Sequence, residues 1–224
     1  MYHSISDRKA LEKSDLWSVN PKIFSSHLDF LKDSNLEILS SQNLISHIPK
    51  EGVVITFDDG LKDNFDVAAP ILLEKKIPFT VFIVPLFLEQ SFGNYMNVED
   101  LKELAKDPLV TIGSHSLSHK VLSHCDKLTQ QKEIVESKGI LEDLIGKPVD
   151  MFAYPHGIFN GNIRSLVADA GYKVAFTSVN SFNPPYQDKL LINRNEIWNS
   201  DTVSSLNEKL KGDWDWLRYR KNLK

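Results

Sequence analysis

The chain has 224 residues, 42% of them hydrophobic and 25% charged, which is ordinary for a globular protein and sufficient to bury one substantial core. Residues 1–224 are therefore expected to form a single domain. With 26 basic and 30 acidic residues the net charge is -4, and no long basic run is present, which argues against nucleic acid or an anionic membrane surface as a partner.

Predicted strands and helices alternate along the chain. Continuous apolar, β-branched runs predict strands covered on both faces, whereas apolar residues at helical spacing between polar caps and glycine predict helices. In the first half of the chain the predicted elements are a helix over 21–32 capped by Asn20, strands over 38–39 and 52–57, a helix over 65–75 with a break at Pro70, and a strand over 78–84. They are followed by a helix from 98 capped by Asn97, a strand over 109–112, a helix over 128–145 stopped by Gly146, and a strand over 149–154. The last elements are a helix begun by Asn162 and closed by Gly171, strands over 173–177 and 190–197, and a C-terminal packing helix over 205–224. Tyr2-His3 also looks like the end of a first strand.

Repeated strand-helix units with buried strands predict a parallel sheet in an α/β fold. The absence of a GxGxxG or GKS/T phosphate loop favours a barrel over a nucleotide-binding open sheet, and about seven strands predict an incomplete (β/α)7 barrel. In such barrels the functional groups follow the carboxyl ends of the strands. Asp58, Asp59, His115 and the pair Tyr154-Pro155 all fall at such ends, so they are expected to share one rim.

Asp58 and Asp59 directly follow a fully apolar strand. Asp-Gly is a common turn dipeptide, so the pair can be read as nothing more than a turn. Two adjacent carboxylates at the end of a buried strand are nevertheless costly unless a positive group compensates them, and a divalent metal is the most economical such group. In this interpretation one carboxylate binds the metal while its neighbour stays free as a base.

His115 and His119 are four residues apart, a spacing that brings both imidazoles to one face of a helical turn and suits a shared metal. A lone HxxxH is weak, and its alternative interpretation is two surface histidines near a helix start. Their position after a strand favours the metal. Two histidines plus one carboxylate leave coordination positions open, which is typical of a catalytic site, whereas a structural zinc site is closed and rich in cysteine.

His3 follows Tyr2 at the end of the first predicted strand. It is therefore a candidate to face the same rim and to donate a proton to a leaving group. The alternative is a frayed N-terminal histidine.

Three segments of the chain resemble the first three motifs of the NodB-like polysaccharide deacetylases, carbohydrate esterase family four. They are TFDDG at 56–60, SHSLSH at 114–119 and FAYPHG at 152–157, and the resemblance runs in order from Tyr2 to about Trp198. It implies a distorted barrel of the polysaccharide deacetylase type. It also implies that Asp59, His115 and His119 bind the metal, usually zinc although cobalt, nickel or iron serve some members.

The resemblance further implies that Asp58 is the general base, which removes a proton as a metal-activated water attacks the acetyl carbonyl. The metal and the backbone N–H of Tyr154 would stabilise the tetrahedral oxyanion.

The sequence departs from the main family pattern in two places, since no arginine precedes Tyr154-Pro155 and no leucine-x-histidine motif follows near the C-terminus. A branch that includes the poly-β-1,6-N-acetylglucosamine deacetylases begins with a Tyr-His pair and uses that histidine as the acid, and Tyr2-His3 matches it. Arg194 is the candidate to pair with Asp58. Pro155, His156 and Trp198 are the expected substrate contacts.

The predicted function is metal-dependent removal of N-acetyl groups from an amino-sugar polysaccharide or oligosaccharide, such as a bacterial cell surface glycan. One alternative is a deacetylase or deformylase of a lipid-linked or nucleotide-linked sugar precursor, and another is a non-catalytic glycan-binding module. The partner is expected to be an N-acetylated glycan, while the oligomeric state, the linkage and the acyl group stay open.

Cys125 is the single cysteine, which excludes an internal disulfide and favours a reducing compartment. No stretch approaches the roughly 20 apolar residues of a membrane span, and the start MYHSISDRKA lacks the basic and apolar regions of a signal peptide. The sequence as written therefore predicts a cytoplasmic protein. A trimmed N-terminus, to which the incomplete first strand points, would instead predict export.

Overall fold

A curled parallel sheet forms the centre of the protein in the computed structural model, which describes residues 1–7, 16–89 and 94–217. The strands are β1 (Ser4–Ile5), β2 (Ser18–Val19), β3 (Ile38–Leu39), β4 (Val53–Phe57), β5 (Phe79–Ile83), β6 (Val110–Ser114), β7 (Met151–Ala153) and β8 (Val174–Phe176). The helices are α1 (Pro21–Asp33), α2 (Asn43–Ser46), α3 (Ala69–Glu74), α4 (Val98–Leu104), α5 (Lys127–Ile145), α6 (Gly161–Asp169) and α7 (Val203–Lys211).

The six strands from β3 to β8 are neighbours in sequence order, and every pair is parallel. The helices connect successive strands, so each strand points its carboxyl end to the same rim. This confirms the predicted distorted (β/α) barrel. β1 and β2 form a separate parallel pair.

The beginning of the chain closes the gap in the barrel. Tyr2 forms a parallel bridge with Phe57 of β4, and its N–H donates to Thr56 O at 2.8 Å. On its other side, the N–H of Ile197 donates to Met1 O at 3.0 Å. The chain start thus lies between β4 and the late segment around Ile197, although neither makes a long ladder.

The prediction of a regular strand over 190–197 is wrong, because this segment changes partners along its length. Ile192 makes an isolated parallel bridge with Phe176 of β8. Two residues later, the N–H of Arg194 donates to Val179 O in the loop that follows β8. A segment that leaves its neighbouring strand so soon cannot build a continuous ladder.

Two of the helix starts follow the predicted caps. The Asn20 side chain accepts from the N–H of Lys22 at the start of α1, and Asn97 forms a capping box with Asp100 at the start of α4. The break at Pro70 is a widened π-helical turn over Asn64–Ala68, which precedes α3. A proline has no N–H to donate back to the preceding turn and its ring crowds that turn, so the regular helix starts afresh there.

Two helix boundaries differ from the prediction. α6 begins at Gly161 because Asn160, rather than Asn162, accepts from the N–H of Ile163 as the N-cap. The C-terminal helix predicted over 205–224 is the shorter α7, which ends because Gly212 adopts a left-handed φ of 84°. Residues 218–224 of that prediction lie outside the described residues.

Aromatic side chains fasten the chain start to the core. The Tyr2 ring packs edge-on against Phe24 of α1, with centroids 5.1 Å apart, and stacks on Phe57 of β4 at 5.6 Å. All three side chains are buried. Within the described ranges, none of the helices is both long and apolar enough to cross a bilayer.

Candidate metal centre

Side chains from two strand ends meet at the carboxyl rim of the sheet. Asp58 and Asp59 follow β4, while His115 follows β6 and His119 lies in the loop beyond it. The Nε2 atoms of His119 and His115 lie 3.4 Å and 3.6 Å from Oδ1 of Asp59. One ligand atom from each of Asp59, His115 and His119 lies within 4.8 Å of the others. The structure therefore brings together the three predicted metal ligands.

The backbone turns sharply where the carboxylate of Asp59 enters the site. Asp59 has a φ of 73° and Gly60 a φ of 67°, so two successive residues occupy the left-handed region. Aspartate tolerates this region better than most side chains, and glycine adopts it freely. A Cβ on Gly60 would lie 2.9 Å from Cδ1 of Ile83, so the close approach to β5 also favours glycine.

The prediction that a helical turn aligns His115 and His119 is wrong. The segment that joins them is a loop in which Ser116 and His119 have φ values of 62° and 61°. The Ser116 hydroxyl accepts from the N–H of His119 at 3.0 Å and so closes this loop. The spacing of four residues brings the rings to centroids 4.8 Å apart by this different path.

Burial sets the protonation of the three side chains. Burial, and next the charge of Asp58, raise the pKa of Asp59 to about 7. Burial lowers the pKa of His115 to about 4, and burial with the charges of His115 and His156 lowers the pKa of His119 to about 3. Both imidazoles are therefore neutral near pH 7, which is the form that binds a metal.

The arrangement fits a divalent metal ion. Ligands held about 2.0–2.1 Å from a tetrahedral zinc lie about 3.4 Å from one another, close to the spacings from Asp59 Oδ1. Oδ1 of Asp59 is buried and, among the described residues, has no hydrogen-bond partner. Nδ1 of His115 donates to Ala153 O at 2.8 Å, which leaves the lone pair of Nε2 facing Asp59. A shared cation would compensate this carboxylate and use both lone pairs.

Asp58 is held beside the centre by a two-pronged ion pair. Nη1 and Nη2 of Arg194 donate to its two carboxylate oxygens at 2.7 Å and 2.8 Å, and both residues are buried. Burial alone raises the pKa of Asp58, but the charge and hydrogen bonds of Arg194 outweigh it and hold the pKa well below its usual range. The predicted pairing is therefore present, and Asp58 is ionised.

The guanidinium of Arg194 is itself fixed from several sides. Its Nε donates to Thr177 O at 2.8 Å, and Nη1 donates to Thr56 Oγ1 at 3.3 Å. The group also lies over the rings of Phe82 and Phe176, 5.4 Å and 5.7 Å from their centroids. These contacts leave Arg194 one orientation, which in turn orients Asp58.

His3 lies next to Asp58 because Tyr2 is in register with Phe57. Burial lowers the pKa of His3, and the charge of Asp58 opposes this. Its carbonyl accepts from Asn64 Nδ2 at 2.6 Å, whereas its Nδ1 is buried and has no hydrogen-bond partner among the described residues. The frayed-terminus interpretation is therefore wrong, because His3 is bonded into the fold.

Tyr154 does not offer the N–H that was assigned to the oxyanion. Its N–H donates to Phe176 O at 3.0 Å, and its hydroxyl donates to Leu190 O at 3.0 Å. The N–H belongs to the ladder because the strand direction continues to this residue. Pro155 has no N–H, so the first N–H after the strand that makes no bond to a described residue is that of His156.

The predicted substrate contacts lie in different surroundings. His156 is exposed, and its ring centroid lies 4.5 Å from that of His119, whereas Pro155 is buried. Trp198 instead packs edge-on against Trp214 at 5.8 Å, and Nζ of Lys209 lies 4.3 Å from its centroid. These contacts tie Trp198 to the region of α7, and its contact with substrate stays a prediction.

Three aromatic residues at the rim were not predicted. Phe87 lies 6.2 Å from the His119 ring and 4.4 Å from the ring of Tyr95, while Trp17 lies 5.7 Å from the ring of His3. They come from connecting segments whose course the apolar pattern does not predict. The one signal in the sequence that could have found them is their aromatic character, because aromatic side chains are common where proteins contact sugars or other flat apolar faces.

Comparison with known proteins agrees with this architecture. The family model described as polysaccharide deacetylase matches residues 46–175, which include Asp59, His115 and His119 but not His3 or Arg194. Among solved structures, Streptococcus pyogenes deacetylase PplD in complex with acetate is similar with a TM-score of 0.85 and 25% identity, covering 94% of this chain and 96% of that one. IcaB from Ammonifex degensii shares the fold, with a TM-score of 0.79, 20% identity and 94% of both chains covered.

Two relatives are similar in sequence. YxkH of Bacillus subtilis strain 168, named as a polysaccharide deacetylase, is 27% identical over 186 residues, which are 80% of this chain and 63% of YxkH. The poly-beta-1,6-N-acetyl-D-glucosamine N-deacetylase of Staphylococcus aureus strain MRSA252 is 28% identical over 177 residues, which are 72% of this chain and 61% of that protein. The chain thus spans somewhat less than two thirds of the length of these relatives.

Proposed function

The chain belongs to the polysaccharide deacetylase family, and we propose that it is a hydrolase that removes N-acetyl groups from an amino-sugar glycan. In this proposal Asp59, His115 and His119 hold a divalent metal ion, for which zinc is the first candidate. The observation that carries the proposal is the two-pronged ion pair by which Arg194 holds the carboxylate of Asp58 beside this cluster. A purely structural metal site has no need of an oriented, unligated carboxylate next to it.

A divalent metal bound here would polarise the acetyl carbonyl and lower the pKa of a water molecule. Asp58 is the acceptor for the proton that this water loses on attack. The pairing with Arg194 keeps Asp58 ionised before the reaction and fixes its direction, so the base needs no rearrangement when the proton moves. His115 is oriented toward the cluster by Ala153 O, and this leaves Asp58 free for proton transfer.

His3 is the donor for the amine that leaves when the carbon-nitrogen bond breaks. It lies beside Asp58, where Asp58 favours its charged form and burial disfavours it. Asp58 thus favours the protonated imidazole that His3 needs in order to act as a donor, whereas burial makes this form less populated but a stronger acid. The position of His3 depends on the closure of the barrel by Tyr2.

The N–H of His156 is the proposed donor to the oxyanion that forms when water adds to the carbonyl. The chain leaves the direction of β7 in the short turn Pro155–Gly157, and there the N–H of His156 makes no backbone hydrogen bond to a described residue. A preorganised N–H at the developing charge is a usual source of stabilisation in acyl transfer. This replaces the assignment to Tyr154.

The substrate class is argued from two relatives. The Staphylococcus aureus relative is named for poly-β-1,6-N-acetyl-D-glucosamine, and the Streptococcus pyogenes structure contains acetate, the acid that N-deacetylation releases. The exposed ring of His156 beside His119, and that of Trp17 beside His3, offer flat faces on which a sugar ring can lie. We therefore place an N-acetylglucosamine unit across this rim.

The experiment is acetate release from β-1,6-linked and β-1,4-linked N-acetylglucosamine oligosaccharides, with and without a chelator, on protein whose metal content is measured by elemental analysis. We expect one bound divalent ion, release that the chelator stops, and restoration by zinc. Asp58→Asn should stop release while the metal remains bound. Asp66→Asn, an exposed aspartate on the following turn, is the matched control and should behave as wild type. Protein without metal and without acetate release from either substrate would refute the proposal.

A further inference from the structure

Helix α5 carries an unusual row of buried polar side chains. Gln130, Glu133 and Ser137 are buried at helical spacing on the face that also holds the apolar residues Ile134 and Leu141. Burying polar groups is costly unless each is hydrogen-bonded. The row therefore needs partners, and each of its three members forms a hydrogen bond with the segment that carries the two metal-ligand histidines.

Each polar residue of α5 holds a different part of that segment. Ser114, which directly precedes His115, donates its hydroxyl hydrogen to Ser137 Oγ at 2.8 Å. At the other end, Nε2 of Gln130 donates to the carbonyls of Leu122 and Cys125 at 2.9 Å and 3.0 Å. Glu133 lies between them, opposite the loop that leads to His119.

Glu133 makes the most contacts with this loop. Its two carboxylate oxygens accept from the N–H of Ser118 at 2.8 Å and from the Ser118 hydroxyl at 2.5 Å. Its backbone carbonyl accepts from the N–H of Leu117 at 3.0 Å. Lys120, which is half-exposed, lies 3.4 Å from the same carboxylate. One side chain of α5 thus binds residues on both sides of the metal ligand His119.

The loop needs such support because its backbone is unfavourable by itself. Ser116 and His119 both have left-handed φ values, which non-glycine residues rarely adopt. Such a conformation persists only where surrounding contacts determine it. The bonds from Glu133 to Ser118 fix one of the two residues between these strained positions, so the ring of the adjacent His119 is held facing Asp59.

We propose that Glu133 is a positioning residue, which holds the loop so that His119 is oriented for the metal before the metal binds. Partners of this kind typically affect metal affinity by 10- to 100-fold when they are removed. The inference rests on the proposed metal-dependent function, and it makes no use of the glycan. Zinc affinity therefore tests it independently of catalysis.

The experiment measures the zinc dissociation constant of the whole chain by competition with a chromogenic chelator, with the melting temperature of the metal-free protein alongside. Glu133→Ala should weaken zinc binding about 10- to 100-fold. Glu133→Gln keeps the shape and can still accept from the Ser118 N–H, so it should restore most of the affinity. Glu136→Ala is the matched control, since this residue lies on the exposed face of α5, and its affinity should equal that of wild type.

The outcomes separate the inference from the proposed function. Wild-type protein that binds no zinc would overturn both. Zinc binding by wild type together with unchanged affinity in Glu133→Ala would overturn the positioning role alone, and a lower melting temperature with unchanged affinity would show that Glu133 only stabilises the fold. If Glu133→Ala does not fold, Ser118→Ala removes a single bond to Glu133. A several-fold loss of affinity in that variant supports the proposal, and no loss contradicts it.

Discussion

Replacing each of the two adjacent aspartates with asparagine should change the stability of the metal-free protein in opposite directions. Asp59 is a partly buried carboxylate whose pKa burial and Asp58 raise to about 7 from a usual value near 3.8. Such a group stabilises the fold most when it is protonated, below pH 3.8, and this stabilisation is lost as the pH rises through 7. At pH 8 the ionised side chain therefore destabilises the folded chain, and Asp59→Asn should relieve this.

The magnitude follows from the shift in pKa. A difference of about three pH units corresponds to about 4 kcal/mol in the free energy of unfolding. Because 24% of the Asp59 side chain is exposed, we expect about 2–4 kcal/mol, or an increase of roughly 5–15 °C in melting temperature for a domain of this size. The gain should grow between pH 4 and pH 7 and then level off.

Asp58→Asn should have the opposite effect. It leaves the buried guanidinium of Arg194 without its carboxylate, and breaking a buried ion pair in this way costs about 3–5 kcal/mol. Added zinc should then distinguish the two variants a second time, because only the variant that keeps Asp59 retains all three metal ligands. Zinc at a hundredfold excess over its dissociation constant should stabilise wild type and Asp58→Asn by about 2.7 kcal/mol and leave Asp59→Asn unchanged.

The assay is thermal and urea unfolding between pH 4 and pH 8, first with a chelator and then with zinc. Asp59→Asn creates an Asn-Gly step, so an intact-mass measurement must confirm that the amide has not hydrolysed back to aspartate. The reasoning is wrong if Asp59→Asn destabilises the metal-free protein at pH 8 as Asp58→Asn does. It is also wrong if zinc raises the melting temperature of Asp59→Asn as much as that of wild type.

Three further results are expected. Arg194→Met should lower the free energy of unfolding by about 3–5 kcal/mol because Asp58 stays buried without its partner, and denaturant titration checks this; a variant as stable as wild type would contradict the buried pair. Zinc affinity, followed by calorimetry, should fall about tenfold for each pH unit below 7, because the metal must displace the proton of Asp59, and a flat profile between pH 5 and pH 7 would exclude this linkage. His3→Ala should lower kcat for acetate release about 10²- to 10⁴-fold with zinc affinity unchanged, and unaltered turnover would remove His3 from the mechanism.

The convergence of Asp59 and His115 could be predicted from the sequence because both follow apolar strands, and the carboxyl ends of parallel strands meet at one rim. The path to His119 could not be predicted. A spacing of four residues favours a helical turn, yet Ser116 and His119 take left-handed φ values, and the segment contains no glycine to signal them. Contacts with Glu133, which is distant in sequence, stabilise this loop instead.

Backbone hydrogen bonds explain a second difference between the predicted and the observed site. The motif resemblance placed the oxyanion donor at Tyr154, but a residue that continues a strand gives its N–H to the neighbouring strand. The first N–H released from the ladder comes after Pro155, at His156. The pairing of Arg194 with Asp58 was expected only from the family pattern, because 136 residues separate them and the intervening segment is not a regular strand.

The proposed acid-base groups and the proposed metal ligands depend on different parts of the barrel. Asp59 and His115 follow β4 and β6, which belong to the continuous sheet. His3 and Arg194 lie instead where the chain start and the late segment close the gap, held by a few bonds such as that from Ile197 to Met1 O. A change that weakens the contacts between the chain start and the late segment should therefore reduce proton transfer while metal affinity persists. A change that weakens the loop supported by Glu133 should instead reduce metal affinity and leave the groups for proton transfer in place, since that loop carries a metal ligand and no proton donor.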